Sequence, residues 1–160
     1  MTKTPRVFDL WRSLGFTIRR ATHEDKWSWL QMRQRLWPEA PAEYLSFDLD
    51  DKLANPNYVV FIASSGEESS VAFIEAGLRD YAEGCETSPV GYIEAWYVDE
   101  RLRGQKLGRE LILAAEHWAR EKGCTEMASD TWLENDSSIN AHLRLGYYEV
   151  ERLVHFAKRL

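Results

Sequence analysis

The chain has 160 residues, 44% hydrophobic and 29% charged, the size and balance of one globular domain and not of a disordered or fibrous chain. No run reaches the roughly 18 apolar residues of a membrane span, and the opening MTKTPRVFDLWRSLGF has neither the apolar stretch nor the small-residue cleavage site of a secretory signal. Twenty basic against 26 acidic residues leave a net charge of −6, the wrong sign for a nucleic-acid partner and compatible with either plain solubility or attraction of a cationic ligand.

In chain order, FTIRR at 16–20 alternates like a short strand. His23 to Leu36 reads as a helix, with Thr22 as N-cap and Pro38 just past its end. Ala42 to Leu53 reads as a second helix, since Leu45, Leu49 and Leu53 recur every four residues. From Tyr58 the period changes to that of strands. YVVFIAS and VAFIEAGLRD flank SGEESS and predict a hairpin. A turn-rich loop, Tyr81 to Pro89, leads to VGYIEAWYV at 90–98, where alternation puts Val90, Tyr92, Glu94, Trp96 and Val98 on one face.

After a turn at Asp99–Arg103, a long helix runs to about Lys122. Leu107, Leu111, Ala114 or Ala115, and Trp118 form its buried stripe, and Gly123 is its stop. CTEMASD at 124–130 reads as a strand, Asn135 to Leu145 as a helix closed by Gly146, and YYEVERLVHFAKR as one or two final strands. Helices set between strands in this way predict a mixed three-layer α/β sheet in a single domain. Cys85 and Cys124 have no metal-like spacing and suit a reducing cytoplasm. Trp11, Trp27, Trp29 and Trp118 read as packing or interface residues, and residues 8–14 as a short docking piece or a tail.

Chemistry concentrates at the join between the strand ending at Val98 and the next helix. Arg101, Arg103, Lys106 and Arg109 put four cations in nine residues beside a helix N-terminus. There the unpaired N–H groups and the dipole favour a pyrophosphate; a solvated basic turn fits the same residues. Glu94 in a strand and Asp130 at a strand end both border this crevice, the position at which open α/β sheets bind ligands. Each is alternatively an ordinary ion-paired acid.

Three segments, Arg103 to Gly108 (RGQKLG), 129–135 (SDTWLEN) and 142–147 (HLRLGY), resemble the successive motifs of the GNAT acetyltransferase superfamily. More narrowly, LWP at 36–38, DYAEGC at 80–85 with Ser88-Pro89, GCTEMASDT at 123–131 and the tail with Glu151 and Lys158 are similar to bacterial aminoglycoside 6′-N-acetyltransferases. The likeness runs from about residue 17 to the end. It implies the GNAT fold, an α/β, mixed but mostly antiparallel sheet of six to seven strands with helices on both faces. It also implies acetyl-CoA as co-substrate with no metal, an aminoglycoside as acceptor, and a homodimer in the cytoplasm.

By that likeness, the backbone at Trp96, Tyr97 and Val98 would bond the pantetheine arm. Arg103, Gly104, Gln105, Lys106, Leu107, Gly108 and Arg109 would cradle the pyrophosphate, and Asn135 would touch the cofactor. Trp37, Tyr81, Glu94, Asp130 and Glu151 would line the aminoglycoside site. Chemistry supplies roles: a protonated amine must lose a proton before attack, and a carboxylate such as Glu94 can accept it directly or through water. Asp130 stands with Glu94 among the candidate catalytic residues and as an acid for the ammonium groups. The Val98 N–H is the candidate donor to the oxyanion, and His142, where the superfamily often has tyrosine, is the candidate proton donor to the leaving thiolate. Lys106 stands where the pyrophosphate loop usually has glycine, and Ala40 where the family often has histidine. Acetylation of a polyamine or protein amine, and a non-catalytic CoA-binding module, remain alternatives.

Overall fold

The computed structural model describes residues 15–66 and 69–160. The docking segment 8–14, with Trp11, lies outside the described residues, as do residues 67 and 68 at the hairpin tip. Five strands form one sheet in the order β1 (Phe16–Arg20), β2 (Tyr58–Ser65), β3 (Ser69–Arg79), β4 (Val90–Val98) and β5 (Met127–Ser129). The first four pair antiparallel and β5 joins β4 in parallel.

Helices cover both faces, so β2 is apolar at successive positions and does not alternate. Val59, Phe61 and Ala63 meet α4 (Leu107–Glu121), together with Ile74 and Ile93. Val60 and Ile62 meet α1 (Lys26–Leu36) and α3 (Leu49–Ala54), together with Trp29, Met32 and Leu49. The α4 stripe is as the spacing predicts: Leu107, Leu111, Ala114, Ala115 and Trp118 are all buried. Each large apolar side chain in it contributes about 1.5–3 kcal/mol on burial. Gly123, at a φ of +87°, ends the helix.

Four expectations are corrected. The second helix is broken into α2 (Ala42–Ser46) and α3, because Arg33 takes the Leu45 carbonyl and Asp48 at 2.8 and 2.9 Å, and the chain turns at Asp48 to let it. The strand at 124–130 is only Met127–Ser129. The sheet has five strands, not six to seven, because the described tail beyond α5 (Asp136–Arg144) forms no strand. Its apolar residues stay exposed without a neighbouring strand, Phe156 at 93%.

The fourth correction is to the faces of β4. Glu75 pairs with Ala95 but Ala76 pairs with Ile93, so Glu94 is an extra residue, a β-bulge. The alternation therefore flips. Tyr92 lies with Ala82 and Val90 on the side of the 80–85 loop, whereas Trp96 and Val98 pack toward α4.

Candidate active site

The bulge also decides which backbone groups are open. Asp99 N–H donates to the Val71 carbonyl at 2.9 Å, which makes Val71/Asp99, Phe73/Tyr97 and Glu75/Ala95 the hydrogen-bonded pairs of the β3–β4 ladder. The N–H and C=O groups of Trp96 and Val98 therefore point away from β3. On that side β5 accompanies β4 only from Gly91 to Ile93. The edge of β4 beyond the bulge faces a gap, in which Val98 and Trp96 are the exposed backbone donors. Tyr97 differs from the expectation: its backbone faces β3, and its ring is buried against Phe73.

The gap is closed at one end by the basic turn. Asp99 caps a single 3₁₀ turn, Glu100–Leu102, and the chain enters α4 through Gly104 and Lys106, both with positive φ (+78° and +68°). Lys106 is the one non-glycine residue in that region among the described residues, which explains why glycine is usual there. Glu110 N–H bonds the Lys106 carbonyl, so the N–H groups of Leu107, Gly108 and Arg109 precede the helical ladder as donors for an anion. Gly108 sits directly on Trp96; a Cβ there would lie 2.8 Å from the indole. The Trp96 Nε1 is buried without a hydrogen-bond partner.

Of the four cations, Arg101 is bound to Asp99, Arg103 to the Val98 carbonyl and Arg109 to Glu110, at 3.1, 3.2 and 2.8 Å. Gln105 reaches back to the Arg101 carbonyl. Lys106 has no ion pair among the described residues. An open strand edge, free helix N–H groups and an orphaned indole N–H suit an extended ligand ending in phosphates.

On the other side of the bulge lie the acids. Arg79 donates to both Glu94 oxygens, Nε at 3.0 Å and Nη2 at 2.7 Å. Its guanidinium carbon is 3.3 Å from the centroid of the Tyr92 ring. The Tyr92 hydroxyl donates to Asp130 at 2.6 Å. Burial first, then the bond to Asp130, push the Tyr92 phenol far above its ordinary range, so it remains a donor. Thus Glu94 and Asp130 are brought to one place, linked by Arg79 and Tyr92. Gly77 leaves room for this: a Cβ there would lie 3.1 Å from the Tyr58 ring and 3.6 Å from Glu94 Oε1.

His142 stands on α5 across the gap, edge-on to Trp96 with ring centroids 5.4 Å apart. Its Nδ1 is 2.8 Å from the Ser138 carbonyl and its Nε2 2.9 Å from Ser129 Oγ. Nδ1 must therefore donate, and Nε2 accepts from the serine when the ring is neutral.

Trp37 ends α1 and lies on the Arg33 guanidinium at 5.5 Å. Arg33 is fixed by Asp48, Leu45 and the fully buried Glu75, which also accepts from Trp29, Lys52 and Tyr58 at 2.9, 2.8 and 2.6 Å. Tyr81 is exposed in the 80–89 loop, which is anchored where Glu126 accepts the N–H groups of Glu86 and Thr87. Asn135 caps α5 by accepting from Ser138 N–H, which leaves its amide nitrogen as an unengaged donor. Glu151 lies exposed in the tail and bonds to neither Glu94 nor Asp130; the tail meets the loop through Tyr148, whose hydroxyl reaches the Gly84 carbonyl.

Sequence reasoning missed Arg79, Tyr92 and Ser129. Tyr92 could have been found from its place two residues before Glu94, and Ser129 from its place beside Asp130. Arg79 carries no signal, since it reaches Glu94 only across the β3–β4 ladder.

Residues 26–147 match the family described as acetyltransferase (GNAT). An aminoglycoside N(6′)-acetyltransferase type 1 of Klebsiella aerogenes is 43% identical over 148 residues, 89% of this chain and 96% of that protein. One of Stenotrophomonas maltophilia is 42% identical over 143 residues, 88% and 91% of the two chains. Among solved structures, AAC(6′)-Iy in complex with the bisubstrate analogue CoA-S-monomethyl-acetylneamine superposes with a TM-score of 0.84 at 34% identity, covering 91% of this chain and 99% of that one.

Proposed function

The chain belongs to the GNAT acetyltransferase family, and we propose that it moves the acetyl group of acetyl-CoA to the 6′-amine of aminoglycosides, a reaction that confers resistance to them. The observation that carries the reading is the bulge at Glu94. It sets an open strand edge and a phosphate-suited helix N-terminus on one side, and two linked carboxylates on the other. A thioester carried along that edge meets an amine held by the acids.

The amine attacks directly, in a ternary complex. Glu94 receives its proton, directly or through one water. The Val98 N–H donates to the oxygen that gains charge, and a donor already aimed there needs no reorganisation. His142 gives a proton toward the leaving sulfur. Leu107, Gly108 and Arg109 hold the pyrophosphate by their N–H groups, with Arg103 to Lys106 around it. Asp130 and Glu151 bind further ammonium groups, and Trp37 and Tyr81 offer flat faces to the sugar rings.

The working form is a homodimer in the cytoplasm. Its support is the tail, in which Val150, Leu153, Val154 and Phe156 lie exposed although their sequence has strand character; a second copy would cover them. Cys85 and Cys124, both free, suit a reducing compartment.

The test is thiol release from acetyl-CoA with kanamycin or tobramycin as acceptor, together with sedimentation of the full chain. Turnover with both drugs is expected, by a species of twice the 18.6 kDa chain mass. Turnover with spermidine alone would overturn the acceptor, CoA binding without turnover would overturn the enzyme, and a monomer would overturn the dimer.

A further inference from the structure

Arg79 is the feature of the site that the reaction does not use. It lies at the end of β3, beside the Glu94 carboxylate, and its side chain keeps 42% of its surface exposed. Three groups surround its guanidinium: the Glu94 carboxylate, held through two hydrogen bonds; the face of Tyr92 at 3.3 Å; and the charge of Asp130, whose carboxylate is bound to the Tyr92 hydroxyl. Two carboxylates and an aromatic face are what a cationic group needs for binding. The protein supplies its own cation to that place.

The strength of the hold matters. The pair is bidentate, which is the favourable geometry, but Glu94 is 27% exposed and Arg79 more so. An ion pair at such a surface is worth about 0.2–1 kcal/mol, because water screens the charges and the long side chain loses freedom when fixed. It is firm enough to hold Arg79 on Glu94 and weak enough to be exchanged. Arg79 is also the only partner that hydrogen-bonds Glu94 among the described residues, so it is the cation with which an entering ammonium competes for that carboxylate.

We propose that Arg79 is an internal counter-ion that occupies the cation subsite formed by Glu94, Tyr92 and Asp130, and that an ammonium group of the acceptor takes its place by ion-pair exchange. The inference rests on the aminoglycoside reading above for the identity of the entering cation. It makes Arg79 a specificity-determining residue. An acceptor with more ammonium groups competes more strongly with Arg79 for Glu94 and Asp130.

The experiment measures kanamycin binding to the full chain by calorimetry in the wild type, Arg79→Gln and Arg79→Lys. Removing the internal competitor in Arg79→Gln is expected to tighten binding by about two- to fivefold, the range that matches a surface pair. CoA affinity is expected to stay unchanged, and the unfolding temperature to fall by no more than about 4 °C, the share of one surface pair. Arg79→Lys keeps a positive charge at the site and is expected to bind like the wild type. Weaker or equal binding by Arg79→Gln overturns the proposal, and so does equal tightening in both variants, which would assign the effect to the planar fork and not to the charge. Should Arg79→Gln fold poorly, the Arg79 Nε–H resonance of the wild type decides. It is expected to move and exchange faster with water at saturating kanamycin, and an unmoved resonance overturns the exchange. A wild type that binds no kanamycin at all removes the aminoglycoside reading instead.

Discussion

His142 and Ser129 face each other across the end of β5, with the imidazole Nε2 2.9 Å from the serine hydroxyl. Because the Ser138 carbonyl holds the other nitrogen at 2.8 Å, Nε2 is the atom left to exchange a proton. His142→Phe keeps a ring against Trp96 but cannot carry a proton. Its kcat is expected to fall about 100-fold with CoA affinity nearly unchanged, the scale of a lost general acid. Steady-state kinetics over pH check this, and an unchanged kcat and pH profile would make His142 a packing residue.

Glu94→Gln preserves the shape at the bulge and removes the carboxylate proposed to accept the proton. A loss in kcat of about 100-fold is expected. Activity should recover in part as pH rises toward about 10, where an alkylamine deprotonates without help. A pH–rate profile parallel to that of the wild type would exclude Glu94 as the base.

Glu75 is fully buried and gathers Trp29 and Arg33 from α1, Lys52 from α3 and Tyr58 from β2. Burial, followed by the Glu75 charge, holds the Tyr58 phenol far above its ordinary range, so it stays a donor. Glu75→Gln leaves Lys52 and Arg33 short of a counter-charge. Breaking a buried pair from one side costs about 3 kcal/mol, measurable by urea unfolding, and Trp37 loses the fixed platform of Arg33.

Lys106 adopts a φ of +68°, where a side chain is strained. Lys106→Gly is expected to raise unfolding stability by about 1 kcal/mol and Lys106→Ala to leave it unchanged. Both lose the ammonium, so both should bind CoA less tightly. Equal CoA affinity in Lys106→Ala and the wild type would remove any contact with phosphate.

Asp25 is nearly buried, with Arg19 on both its oxygens at 2.7 and 2.8 Å. The Arg19 hydrogen bond holds its carboxyl below the usual range, against the effect of burial. A depressed carboxylate contributes stability above its unfolded value, near 3.9, and loses it as pH falls through the folded value. Asp25→Asn is therefore expected to be less stable at pH 7 and to show a shallower loss of stability below pH 4. Parallel stability curves in acid would refute the assignment.

The sequence by itself determined what depends on neighbours along the chain. The α4 stripe from Leu107 to Trp118, the stop at Gly123, the hairpin of β2 and β3 and the basic turn before α4 all follow from local periodicity and turn chemistry, and the structure has them. The motifs also drew attention to Asp130 and His142, and strand alternation to Glu94. The tertiary structure alone decided where those residues stand and what they bond, because pairing across strands is set by hydrogen-bond register, which no spacing records. A single extra residue at Glu94 turned Trp96 and Val98 toward α4 and left their backbone groups on an open edge. Arg79 reaches Glu94 from fifteen residues away. The broken helix at Asp48 answers to Arg33, and the tail, strand-like in sequence, pairs with no strand among the described residues. A strand is made by its partner, and no partner can be read from the strand alone.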